Sequence, residues 1–156
     1  MLKKVTVFIL SIGLSFAAGA IGSLATIPNI PSWYANLEKP AFNPPNWIFG
    51  PVWSVLYVLM GIALALIILQ AVKRPKQTAY FWFGLQLVLN TVWSLVFFGL
   101  HSPWLGIAVI IALIISIVMT ILEFNKIKKA AAWLLSPYLA WVCFATYLTT
   151  AIALLN

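Results

Sequence analysis

The sequence predicts an all-α membrane protein: a five-transmembrane-helix bundle with one long ordered loop between helices 1 and 2. Composition is the first reason. Of 156 residues, 64% are hydrophobic and only 7% charged, with a mean hydropathy of +1.08. A soluble domain keeps roughly a quarter of its residues charged to cover its surface, so lipid must be the main solvent here. The second reason is length. Apolar runs fall at about 5–27, 50–72, 79–100, 104–124 and 131–154, each near the ~20 residues that cross ~30 Å of hydrocarbon. Backbone amides in lipid need partners inside their own segment, so such runs are helices. The strict alternation of a membrane barrel is absent. The third reason is charge. Lys3, Lys4, Lys73, Arg74, Lys76, Lys126, Lys128 and Lys129 fall in segments that five spans place on one side, and Lys39 alone falls on the other. That 8 to 1 split puts the amino terminus in the cytoplasm and the carboxyl terminus outside a plasma membrane. It also accounts for the net charge of +7 without a nucleic-acid partner. Residues 1–156 form a single transmembrane domain on this reading.

The first span opens with Lys3 and Lys4 and reaches Ala18-Gly19-Ala20, a pattern shared with cleaved secretory signals. Its apolar stretch continues to Ile27, long enough to span, which favours a retained helix. Gly19 with Ser23, and Ala18 with Gly22, are small residues four apart, a spacing that lets helices approach closely and permits a homodimer without requiring one.

Loop 28–49 holds five prolines, with Trp33, Tyr34, Phe42 and Trp47 between them. Proline lowers the entropy of the free loop, and the aromatics give it something to bury. A packed lid fits this composition, as does a loop whose aromatics rest among lipid headgroups.

Eight tryptophans are spread along the chain. Trp47, Trp82, Trp104 and Trp133 lie near helix ends, where an interfacial belt accounts for them. Trp53 lies just inside helix 2, and Trp93 and Trp141 near mid-span, deeper than a belt. On helix 3, Trp82, Gln86, Asn90, Trp93 and Phe97 recur at three- and four-residue spacings and share a face. Amides in lipid must point into the bundle, either to bridge helices or to meet a ligand. On helix 4, Glu123 lies near the inside end. Helix 5 carries Pro137, expected to kink it and free a carbonyl, and then Tyr138, Trp141 and Ala145 on one face. Two readings of that face stay open: a concave aromatic wall, or close packing on a neighbour. Aromatic walls with a few amides suit a flat, largely apolar ligand.

Several chemistries are excluded. No carboxylate, lysine or arginine lies mid-membrane, which argues against an ion pump or proton relay. His101, the only histidine, sits in a short loop, where solvation explains it better than haem ligation. Ser136 and Thr146 have no paired base, there is no phosphate-binding glycine loop, and Cys143 is the lone cysteine. No metal site and no resident cofactor are expected.

The residues Trp33-Tyr34, Leu37, Lys39-Pro40, Pro44-Pro45, Trp47, Phe49-Gly50-Pro51-Val52-Trp53, Leu56-Tyr57 and Met60-Gly61 resemble the signature of the TspO/MBR family, the tryptophan-rich sensory and translocator proteins. Gln86-Leu87, Leu89-Asn90, Trp93-Ser94 and Phe97-Phe98 resemble its third-helix motif. Pro137-Tyr138-Leu139-Ala140-Trp141 with Phe144-Ala145-Thr146 resembles its fifth. Where that family often has Leu-Asn, this chain has Leu148-Thr149, and no Lys or Arg follows Lys129 to complete a cholesterol-type pattern. Sterol handling is therefore not implied.

The resemblance implies a bundle, often dimeric, with a pocket under the first loop. The implied ligands are porphyrins (protoporphyrin IX, haem) and drug-like isoquinoline carboxamides and benzodiazepines. Trp33 and Tyr34 would belong to the loop side of the pocket, and Trp53, Asn90, Trp93, Tyr138, Trp141 and Ala145 to its interior. Three functions share that binding step: a receptor or sensor, a light- and oxygen-dependent degrader of protoporphyrin with Trp33 and Trp141 as the reactive pair, and a transporter of tetrapyrroles or other lipophiles.

Overall fold

The computed structural model describes residues 2–156. Helix α1 runs Leu2–Asn29, α2 Phe49–Leu69, α3 Gln77–Ser94, α4 Pro103–Asn125, α5 Lys129–Trp133 and α6 Ser136–Leu155. Five helical segments are long and apolar enough to cross a membrane, with α5 and α6 together making the fifth. α1 packs on α2 and α3, α3 on α4, and α4 on α5 and α6, while α2 closes the ring against α5 and α6.

Three boundaries differ from the sequence reading for identifiable reasons. Pro28 lies inside the last turn of α1, so the loop starts later than 28. α2 stops at Leu69 rather than 72, because the Lys76 ammonium folds back onto the carbonyls of Ile67 at 2.7 Å and Gln70 at 2.7 Å and satisfies its carboxyl end. The fifth span is two helices instead of one kinked one. The chain turns at Leu134 and Leu135, and Pro137 then sits in the first turn of α6, where its missing N–H breaks no bond.

In lipid the apolar effect does not draw helices together, so close van der Waals contact must. Gly61 provides one such contact, since a Cβ there would overlap the Ile12 backbone. Gly19 provides another, against the Tyr57 ring. Gly22 faces Ser94 of α3, so the small-residue stripe of α1 is engaged largely within the bundle. Below these crossings the interior is solid: Met60, Ile67, Phe83, Ile117 and Phe124 are essentially buried, and Phe83 stacks on Phe124 at 5.8 Å. Buried hydroxyls of Ser15, Thr120 and Thr149 donate to carbonyls four residues back, so they are satisfied within their own helices.

Candidate functional site

At the loop end of the bundle the core gives way to a cavity of about 380 Å³, within the size range of small-molecule sites. α2 contributes Trp53 and Tyr57, stacked at 5.6 Å between ring centres. α3 contributes Trp93, stacked on Phe97 at 5.2 Å and 14°. Phe97 and Phe98 come from a π-helical turn, Leu95–Gly99, that ends α3; the Leu100 amide donates to Leu95 O at 2.9 Å. Such a turn re-aims side chains relative to the helix before it. From α6 come Trp141, edge-on to Phe49 at 5.9 Å, and the small Ala145, which leaves room beside it. α1 presents Gly19, Ala20 and Ser23, and Tyr34 roofs the space.

The wall is almost entirely apolar, yet it contains two buried donors. The indole N–H groups of Trp93 and Trp141 have no acceptor among the described residues. A buried polar group left unpaired costs about 1–3 kcal/mol; neither indole orientation is fixed by a hydrogen bond, and both rings are held by packing alone. The deeper amides differ from one another. Asn90, 3% exposed, accepts from the Tyr57 hydroxyl at 2.8 Å and donates to the Tyr138 hydroxyl at 3.3 Å. Gln86, buried one turn below, has no partner for either amide atom.

Five of the eight residues singled out in the sequence line the cavity: Tyr34, Trp53, Trp93, Trp141 and Ala145. Trp33, Asn90 and Tyr138 do not. Asn90 and Tyr138 are used up behind the wall by the chain that links α2, α3 and α6. Trp33 is drawn aside by His101: the rings stack at 4.6 Å and 17°, and Trp33 stands edge-on to Phe97 and Phe98. His101 adopts a positive φ of 52°, uncommon for a side-chain-bearing residue. Its Nε2 lies 2.8 Å from Asn29 Oδ1, so this exposed histidine is tied between α1 and the loop. Sequence reasoning missed Tyr57 and the α1 face. Tyr57 lies four residues after Trp53, hence on the same side of α2, which was a usable signal. Gly19, Ala20 and Ser23 gave none, because small residues suit packing and cavity walls equally.

The loop itself divides. Tyr34 is buried, and its hydroxyl donates to Asn43 Oδ1 at 2.8 Å; burial holds its phenol pKa above the usual range. The Lys39 ammonium donates to Leu37 O at 2.9 Å and lies 5.0 Å from the Tyr34 ring centre. The Asn156 amide clasps Glu38, accepting from its backbone N–H at 3.0 Å and donating to its carbonyl at 3.0 Å. Phe42 and Trp47, by contrast, are 79% and 74% exposed. Part of the loop is a packed lid, and part is free to rest at the membrane interface.

The TspO/MBR family model matches residues 11–155 of this chain. The chain is 44% identical over 158 residues to the tryptophan-rich protein TspO of Chlorobaculum tepidum, covering 100% of this chain and 99% of that protein. It is 33% identical over 142 residues to the protein CrtK of Rhodobacter capsulatus, with 90% and 88% covered. It is 37% identical over 121 residues to the human translocator protein, with 74% and 70% covered.

Proposed function

This chain belongs to the TspO/MBR family of membrane proteins, and from that premise we propose that it is a receptor or sensor that binds porphyrins, with isoquinoline-carboxamide and benzodiazepine-type molecules as further ligands. The observation that carries the reading is the cavity wall. Three indoles and several phenyl rings line one space, and the indole N–H groups of two of them, Trp93 and Trp141, are buried without an acceptor among the described residues. Flat aromatic macrocycles and fused-ring carboxamides stack on such rings. No resident cofactor enters this reading; protoporphyrin or haem is the ligand.

Light-driven degradation of protoporphyrin is the second reading, supported by the presence of an oxidisable indole, Trp141, on the wall. The pairing of Trp141 with Trp33 loses support, because Trp33 lies behind Phe97 and Phe98. Transport has no specific observation in its favour, since the cavity is confined to one end above a packed core. A homodimer is compatible with the fold, though Gly19 and Gly22 already serve contacts within one chain.

Absorbance of the detergent-solubilised protein with protoporphyrin IX, in the dark and then under steady light, tests the proposal. A shifted porphyrin band in the dark that afterwards bleaches only as in detergent alone is expected for a receptor. A band that decays to a defined product would favour the degrader. No shift at all would overturn the binding reading.

A further inference from the structure

The cavity has two approaches, and they are closed very differently. Towards the loop, Tyr34 covers it and is bonded to Asn43, Trp33 is wedged on His101, and Asn156 clasps Glu38. Towards the side, between the loop-proximal halves of α1 and α2, the lining residues themselves reach the molecular surface. Ala20 and Ile27 of α1 and Gly50 and Ser54 of α2 border the cavity and are exposed, Ile27 by 67%.

Among the described residues, no hydrogen bond crosses this side slot. The hydroxyls on its rims donate back to their own helices: Ser23 to Ala20 O at 2.7 Å, Thr26 to Gly22 O at 3.2 Å, and Ser54 to Gly50 O at 2.9 Å. Among the described residues, no hydrogen bond joins α1 to α2 at all. α1 is instead tied to α3, through the Thr91 hydroxyl to Ala18 O at 2.9 Å, and to the α3–α4 connection, through Asn29 to His101. The close crossing of Gly61 with Ile12 lies deeper in the bundle, and that of Gly19 with Tyr57 marks the inner edge of the slot, beside Ala20. Parting the rims therefore breaks only van der Waals contacts, whereas lifting the loop breaks the Tyr34–Asn43 and Glu38–Asn156 hydrogen bonds together with the Trp33–His101 stack.

We infer that the cavity is loaded sideways, through the slot between α1 and α2, from the lipid leaflet on the loop side. The inference rests on the ligand-binding reading above and narrows its ligand class to flat amphiphiles already dissolved in the membrane. A molecule confined to water meets the closed face. The satisfied rim hydroxyls offer a passing ligand no free donor to hold it on the way in.

The test uses the full chain in liposomes whose lipid carries protoporphyrin IX, with association and dissociation followed by indole quenching. A Cβ at Gly50 meets nothing within 4 Å, so Gly50→Trp starts a side chain in open space at the slot. Ala20→Trp adds a ring from the other, exposed rim. Gly13→Trp is the control, since Gly13 is equally open and lies away from the cavity. Both rim variants should slow association and dissociation together, by about tenfold, as a narrowed route requires; a weakened site would speed dissociation instead. Gly13→Trp should keep the parent rates. Parent rates in both rim variants overturn the side route. Failure of the parent chain to bind protoporphyrin in the dark, in detergent as well as in liposomes, overturns the binding reading itself.

Discussion

Trp141 and Asn90 show how two residues chosen by the same sequence logic come to do different work. Both lie deep and face inward, but Trp141 borders the cavity with an unpaired N–H, while Asn90 is enclosed by the Tyr57 and Tyr138 hydroxyls. Trp141→Phe removes one stacking surface and should weaken dark binding of protoporphyrin by ~0.5–1.5 kcal/mol in an absorbance titration. Unchanged affinity would remove Trp141 from the site. Asn90→Ala leaves two phenols without a partner and should cost ~1–3 kcal/mol of stability, seen as a lower Tm in detergent. It should also reduce protoporphyrin and carboxamide affinity alike, because Asn90 acts through Tyr57. A loss confined to the carboxamide would mean the amide touches the ligand after all. Helical spacing could assign Asn90 to an inward face. It could not show that Tyr57 and Tyr138 meet it there, because those contacts join residues 33 and 48 positions away.

At the level of elements, the loop is more firmly held than its proline content alone requires. The Glu38 clasp joins it to the end of α6, 118 positions along the chain, a contact no local pattern announces. Asn156→Ala should free that edge of the lid while leaving the bundle intact. The molecule has only two acidic residues, Glu38 and Glu123, so a glutamate-specific protease reports on the loop directly. Cleavage after Glu38 in the native protein should accelerate several-fold in the variant, since proteolysis tracks local opening. An equal rate in parent and variant would show that Tyr34 and Trp33 hold the lid unaided. The same limit of local reading explains the fifth span. Pro137 signalled a break, but its ring is as comfortable in a first turn as it is disruptive in a middle one. Only the turn at Leu134 and Leu135 decides between the two.

For the whole molecule, what could be read and what could not separate along physical lines. Span number, span length and helicity follow from hydrocarbon thickness and the need to pair every backbone group, and both constraints act on contiguous sequence. The cavity depends instead on where five helices fail to touch, which is set by crossings such as Gly61 on Ile12 and Gly19 on Tyr57. Those glycines are visible in the sequence, but their partners are not. Sidedness belongs to the first kind of property. Lys76 shows that an individual basic residue can also have a local task, capping α2. The 8 to 1 distribution is nevertheless a property of the whole chain, and it predicts that the lid lies outside the cell with the cavity beneath it. With Cys143→Ala as background, Ala41→Cys places a single thiol in the exposed part of the loop, and Arg74→Cys places one in the exposed α2–α3 connection. A membrane-impermeant maleimide applied to intact cells should label Ala41→Cys at once and Arg74→Cys only after permeabilisation. The opposite pattern would invert the molecule, and the side slot would then draw its ligands from the cytoplasmic leaflet.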